Sequence, residues 1–240
     1  MAETANVVVL MPGETLQLPN SEASLTPAQE LVLGPGLRRD DGGTVVATKA
    51  GVLRRRDPNV YWIDSHQKRY VPVRGEMVIG IVAAKSVDLF KVDIGSSEHA
   101  SLSYLAFEGA TKRNRPNLQV GDLVFTRLLV ANKDMEPEVV CVDSAGRANG
   151  LGQLSGDGFL IHTSLEFCRR LLTPGCPLIA SLSAVCPCEI TVGMNGRVWL
   201  RAKALWPAAV AAALLERSNC IETEQMKSQL QNLTDCLANF

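Results

Sequence analysis

The 240-residue chain lacks a dominant charge: 24 Lys and Arg face 25 Asp and Glu, for a formal net charge of -1. Nor is the balance hidden in one region. Basic and acidic residues number nine and eight in 1–75, eight and ten in 76–150, and seven each in 151–240. Without a strongly basic third, a stand-alone high-affinity nucleic-acid binder is not indicated. A run of bilayer length is missing too, the longest apolar helical stretch being Ala204 to Leu215, so no membrane partner is expected. No basic segment precedes the short Val7–Leu10 run, which argues against a secretory signal and for a soluble intracellular protein.

The seven cysteines are scattered at 141, 168, 176, 186, 188, 220 and 236, and only Cys186-Pro187-Cys188 is close-spaced. That pair has no second pair at zinc-finger spacing, and His66, His99 and His162 fall at no ligand interval. Buried free thiols in a reducing compartment are expected, with no metal and no cofactor. There is no Gly-Lys-Ser/Thr phosphate loop and no Gly-x-Ser-x-Gly elbow, and the glycines at 150, 152, 156 and 158 miss the dinucleotide fingerprint. The chain is therefore read as not an enzyme.

What is present is ordinary globular composition, with 46% hydrophobic and 20% charged residues, 19 Gly and 12 Pro. It excludes disorder, collagen and a coiled-coil rod as the main architecture. Three modules follow from the patterning. Residues 1–72 read as a β-rich domain of short strands broken by turns such as Gly34-Pro35-Gly36 and Asp40-Asp41-Gly42-Gly43. Within it, Thr44–Thr48 and Gly51–Leu53 are expected as two strands joined by a tight Lys49-Ala50 connection, and Val60–Ile63 is a further strand.

Residues 73–150 carry a more regular rhythm, with strands expected at Met77–Ala84, Val87–Ile94, His99–Tyr104, Val120–Val130 and Glu138–Val142. Five strands and a longer polar loop from Glu108 to Asn117 fit a five-stranded closed barrel of the OB type. Residues 151–240 are mixed α/β and of a size for a KH domain. The features are a strand at Gly158–Ile161, a helix capped by Ser164 with Leu165, Cys168 and Leu172 on one stripe, and an apolar run Leu178–Leu182 open between helix and strand. Two strands at Glu189–Val192 and Arg197–Leu200 come next, and then a largely apolar helix from near Pro207 to Leu215. Met226, Leu230, Leu233 and Leu237 make one face of a final amphipathic helix, read as docking on its own domain.

Three stretches, in order, carry a family resemblance. They are Gly34-Pro35-Gly36-Leu37 with Thr48–Leu53; Arg69-Tyr70-Val71-Pro72-Val73-Arg74 with Gly75–Val82; and Val192-Gly193-Met194-Asn195-Gly196-Arg197-Val198-Trp199. Across nearly the whole chain the sequence resembles the S1/KH cap subunits of the RNA exosome. The resemblance implies an N-terminal β domain, an S1 domain of OB type and a C-terminal KH domain. It implies a non-catalytic role on a ring of subunits related to phosphorolytic exoribonucleases, stabilising that ring and guiding single-stranded RNA, with little sequence preference, into the pore for 3′–5′ degradation and processing. Nucleus, nucleolus and cytoplasm are the compartments implied. Two other readings stand beside it. One is an independent S1/KH RNA-binding protein. The other is a phosphorolytic exoribonuclease, against which the domain order and the lack of length for catalytic domains both count.

The candidate sites are few. Lys112, Arg113 and Arg115 form a basic loop suited to phosphate contact, or else a solvated loop, and Lys85 at a strand-to-strand turn joins the same rim. Phe90 and Tyr104 are candidate stacking residues, but Phe90 shares parity with Val92 and Ile94 and reads as core. Arg54, Arg55 and Arg56 suit contact with RNA or with an acidic ring subunit, or else an exposed polar turn; the resemblance, which sets this module against the ring, implies the subunit contact. Gly193-Met194-Asn195-Gly196 invites comparison with the G-x-x-G clamp of KH domains, which joins two helices. Here both flanks read as strand, so a two-residue type I′ hairpin turn at Asn195-Gly196 is expected, a structural motif.

Overall fold

The computed structural model describes residues 8–16, 31–56, 59–132, 134–173, 176–185, 187–202 and 205–218. The chain divides into two compact units, Met1–His66 and Gln67–Phe240.

The first unit consists of two small sheets. Strands β1 (Val9–Leu10), β6 (Gly51–Arg56), β7 (Val60–Asp64) and β3 (Val32–Leu33) form one, in that order; β2 (Thr15–Leu16), β5 (Val45–Ala47) and β4 (Leu37–Arg39) form the other. Buried Val45 and Ala47 of the second sheet pack with Tyr61, Ile63 and Leu10 of the first. The two strands joined near Lys49-Ala50 are present but do not pair with each other: β5 pairs with β2 and β4, and β6 pairs with β1 and β7. The chain crosses between sheets there, because Ala47 and Ile63 share a core only if their strands lie in opposed layers.

The second unit opens with Tyr70 already in the core of a barrel, its hydroxyl donating to Glu76. Strands β8 (Met77–Lys85), β9 (Leu89–Asp93), β10 (Ala100–Ser103), β11 (Leu123–Val130) and β12 (Glu138–Val140) follow. Their sheet runs β12-β10-β9-β8-β11, and β11 also pairs with β12, which closes the ring; β13 (Gly152–Gln153) extends β11. Only β10 and β12 run parallel. Alternation sets the interior: Phe90 and Val92 on β9, Val124 and Leu128 on β11 and Ala100 and Leu102 on β10 are all buried. This is the five-stranded OB-type barrel that the sequence rhythm predicts.

The last part holds β14 (Phe159–His162), α1 (Leu165–Leu172), α2 (Pro177–Val185), β15 (Cys188–Gly193), β16 (Arg197–Ala202) and α3 (Leu205–Ser218), with an antiparallel sheet of order β14-β16-β15. Ser164 caps α1, its hydroxyl accepting from the Phe167 amide at 3.2 Å, a contact worth about 1 kcal/mol. Leu165, Cys168 and Leu171 face inward, whereas Leu172 is exposed. The stripe follows the 3.6-residue turn more closely than the expected four-residue step to 172. The ambiguous run Leu178–Leu182 is helical, with both ends buried. Ile161, Phe167, Val198, Leu200, Ala208, Ala211 and Leu215 make this core. The expected final helix around Met226–Leu237 lies outside the described residues.

Candidate nucleic-acid interface

The rim is built where β8 ends and β9 begins. Ser86 donates its amide to Leu89 O and closes the turn. The polar loop that follows Phe107 returns to this turn and is fastened there twice: Lys85 Nζ donates to Leu118 O at 3.1 Å, and Arg115 Nη1 donates to Val87 O at 2.8 Å. Each cation also lies over a ring, Arg115 at 4.4 Å from the Tyr104 centroid and Lys85 at 5.8 Å from that of Phe90. Among the described residues neither has a carboxylate within ion-pair distance. They border a hollow of about 180 Å³ that also includes Val87 and Asn117.

Lys112 and Arg113 stand apart from that pair, exposed at the loop tip. The tip is a tight turn in which the Thr111 amide donates to Asn114 O and the Asn114 amide to Thr111 Oγ1, each at 3.0 Å. Two of the four expected rim cations thus converge on the hollow, and two project from the loop above it in sequence. Phe90 and Tyr104 are buried in the barrel core, 4% and 9% exposed, and the ring faces nearest the rim carry cations. That arrangement was not legible, since no spacing signal links positions 104 and 115.

Arg54, Arg55 and Arg56 belong to the first unit, on β6, and all three are exposed. Arg54 lies 3.8 Å from Asp64 Oδ2 and Arg55 5.7 Å over Tyr61, so two of the three are partly engaged with the neighbouring strand β7.

Gly193-Met194-Asn195-Gly196 joins β15 to β16, and Gly193 pairs with Arg197. The connection therefore has three residues, Met194 to Gly196, rather than the two expected. Only Gly196 has positive φ, +77°, as in a three-residue hairpin loop with its left-handed residue last. The reason is the docking of the turn on the barrel. Strand β8 pairs with β9 only from Ile81 onward, leaving the outward backbone groups of Met77 and Ile79 without a strand. The turn supplies what is missing. Met194 N donates to Met77 O at 2.9 Å. The Asn195 carboxamide accepts from Ile79 N at 3.2 Å and donates to Ile79 O at 2.8 Å and to Ile94 O at 2.9 Å.

A Cβ on Gly193 would stand 2.8 Å from Ile79 N, so only glycine permits this approach. Beside it, buried Arg197 donates to Asp93 O at 2.5 Å and to Asp93 Oδ2 at 2.7 Å. Burial pushes the Asp93 carboxyl up, but the hydrogen bond from the Gly95 amide and the hydrogen bond and charge of Arg197 outweigh it, and the group is held below the ordinary carboxylate value. No local pattern links Asn195 to Ile79, its partner 116 positions earlier.

The segment between α1 and α2, where a KH clamp sits, reads Thr173-Pro174-Gly175-Cys176 and has no G-x-x-G spacing. The one such spacing in this part of the chain is spent on the barrel. Among the described residues no three His, Cys, Asp or Glu converge as metal ligands. Burial pushes the Cys141 thiol up to about 12 and raises that of Cys168, so both are held protonated. No described helix is long and apolar enough to cross a membrane.

Comparison with known proteins agrees with this architecture. Residues 70–152 match the family model described as exosome complex component RRP40, S1 domain; residues 8–66 match the mammalian RRP40 N-terminal model, and residues 158–205 a KH domain model. The chain is 50% identical to exosome complex component RRP40 of Mus musculus over 95% of its own length and 90% of that protein. It is 46% identical to the Drosophila melanogaster RRP40, covering 95% and 97% of the two chains, and 36% identical to that of Saccharomyces cerevisiae, covering 80% and 83%. A crystal structure described as an exosome complex RNA-binding protein superposes with a TM-score of 0.59 at 22% identity, over 69% of this chain and 97% of that one, a likeness of fold. The barrel, the KH-type domain and near-full-length identity to these relatives converge on one assignment: the chain belongs to the exosome complex component RRP40 family.

Proposed function

We propose that this chain serves as a non-catalytic, RNA-binding subunit of the exosome cap, steadying the ring beneath it and passing single-stranded RNA across the barrel rim toward the pore for 3′–5′ degradation and processing. Family membership carries the exosome role. The observation that supports the RNA path is the rim itself: Lys85 and Arg115 are held in place with no neutralising carboxylate among the described residues, and Lys112 and Arg113 project on the same loop. Such cations meet phosphates without choosing sequence. Arg54, Arg55 and Arg56, on an exposed strand of the first unit, are the proposed contact with a ring subunit of the phosphorolytic-nuclease type. The expected compartments are those of exosome RNA processing, nucleus, nucleolus and cytoplasm.

The test is reconstitution. The chain alone, given labelled single-stranded RNA, Mg²⁺ and phosphate, leaves the RNA intact. Assembled with the other exosome subunits, it extends the length of RNA protected from added nuclease, and the Lys112→Ala/Arg113→Ala/Arg115→Ala variant shortens that protection. Protection unchanged in the triple variant would move the RNA path off this rim. A stable free monomer in cell extracts, with no co-eluting subunits, would favour an independent S1/KH RNA-binding protein instead.

A further inference from the structure

Arg115 is not placed as a simple point charge. Its guanidinium carbon lies over the Tyr104 ring, 4.4 Å from the centroid, and its Nη1 is tied to Val87 O at 2.8 Å. A planar group held over a ring and tied at one edge has its orientation set before any ligand arrives. The side chain as a whole is exposed, as is Val87, which is 75% accessible at the lip of the hollow. The hollow's 180 Å³ is below the roughly 300–1,000 Å³ of sites that enclose whole drug-sized ligands. It is the size of a subsite for one heterocycle. Asn117 also borders it, its Oδ1 accepting from Gln119 Nε2 at 3.1 Å.

We propose that this hollow seats one unstacked nucleobase, lying on the outer face of the Arg115 guanidinium in a tyrosine–arginine–base stack, with Val87 against its edge. Arginine planes serve as stacking surfaces for splayed-out bases in single-stranded RNA, and the ring beneath this one keeps it from turning away. Lys85, which also borders the hollow and is fastened to Leu118 O, is placed for the phosphate of the same nucleotide. Lys112 and Arg113 then supply attraction along the strand, whereas Arg115 supplies a seat for a base. Stacking of this kind accepts any base, in keeping with a path that carries RNA of many sequences. The inference rests on the reading of this rim as the RNA path.

The distinguishing substitution is Arg115→Lys, which keeps the charge and loses the plane. The full chain is titrated with a ten-nucleotide oligoadenylate and with a ten-unit abasic ribose-phosphate oligomer of the same charge. The wild type is expected to prefer the base-bearing oligomer by about tenfold, the order of one base–platform stack. Arg115→Lys is expected to erase that preference while the slope of log affinity against log salt stays the same. A wild type that binds both oligomers equally, or an Arg115→Lys variant that keeps the preference, overturns the base seat and leaves the electrostatic RNA path standing. Failure of the wild type to bind either oligomer overturns the RNA path and the seat with it.

Discussion

Replacing Asn195 with Ala tests the docked turn most directly. The side chain makes three hydrogen bonds to barrel backbone at 3.2, 2.8 and 2.9 Å, and Ile79 itself has no exposure. Alanine removes all three. Ile79 O retains a 3.3 Å contact from Arg197, but Ile79 N and Ile94 O lose the partner that the turn provides. A net hydrogen bond contributes about 1 kcal/mol, and a buried group left unpaired costs about 1–3 kcal/mol, so the loss is about 3 kcal/mol at least. At a urea slope of about 1–3 kcal/mol per M, the midpoint of the second unit falls by roughly 1–3 M. Urea titration of the full chain followed by circular dichroism measures this. Asn195→Asp fares no better, because it sets a carboxylate oxygen where the amide now donates to two carbonyls. If Asn195→Ala leaves the midpoint in place and instead weakens RNA binding, the turn is a nucleic-acid clamp after all and the docking argument fails.

Three further outcomes follow from the same geometry. Gly196→Ala lowers stability by about 1 kcal/mol or more, since φ is +77° and the added Cβ would meet Thr163 O at 2.7 Å; an unshifted urea midpoint would contradict this. Asp93 is held below its ordinary value of 3.8, so its contribution is present above about pH 4 and is lost as pH falls through the lowered folded value. The melting temperature of the wild type therefore drops more steeply between pH 5 and pH 2, each about the limit of the window, than that of Asp93→Asn; parallel curves would remove Asp93 from the acid response. Lys112→Ala/Arg113→Ala should reduce the slope of log affinity against log salt for single-stranded RNA by about 1.4, two charges at about 0.7 each, and an unchanged slope would place the phosphates elsewhere.

The barrel was readable because β9 and β11 alternate cleanly between core and surface, and glycine- and asparagine-bearing loops punctuate them. What local pattern cannot show is a partner distant in sequence. Thr44–Thr48 and Gly51–Leu53 look like a hairpin because they are adjacent strands, yet each finds its partners in a different sheet. Leu178–Leu182 was ambiguous because apolar residues in so short a run fit a buried helix or a buried strand equally. Asn195-Gly196 signals a hairpin correctly but the turn type wrongly, since the Asn195 carboxamide is drawn onto Ile79 and the loop takes a third residue. At the rim, the four cations were visible as residue types, but not that Arg115 lies on Tyr104 while Lys112 and Arg113 do not share its anchorage.

The docking of the Gly193–Gly196 turn on β8 also bears on the order of events at the ribosome. Ile79 leaves the tunnel 116 residues before the Asn195 that completes its pairing. At synthesis rates of about 5–20 residues per second, that interval is roughly 6–23 s. For that time the nascent barrel carries an open stretch of β8 backbone at Met77 and Ile79, where the turn will later seat. Unpaired strand edges of this sort are templates for pairing with another chain. The last hairpin of the KH domain is therefore the piece that seals the barrel made long before it, and a polysome crowded with such chains would bring many half-sealed edges side by side.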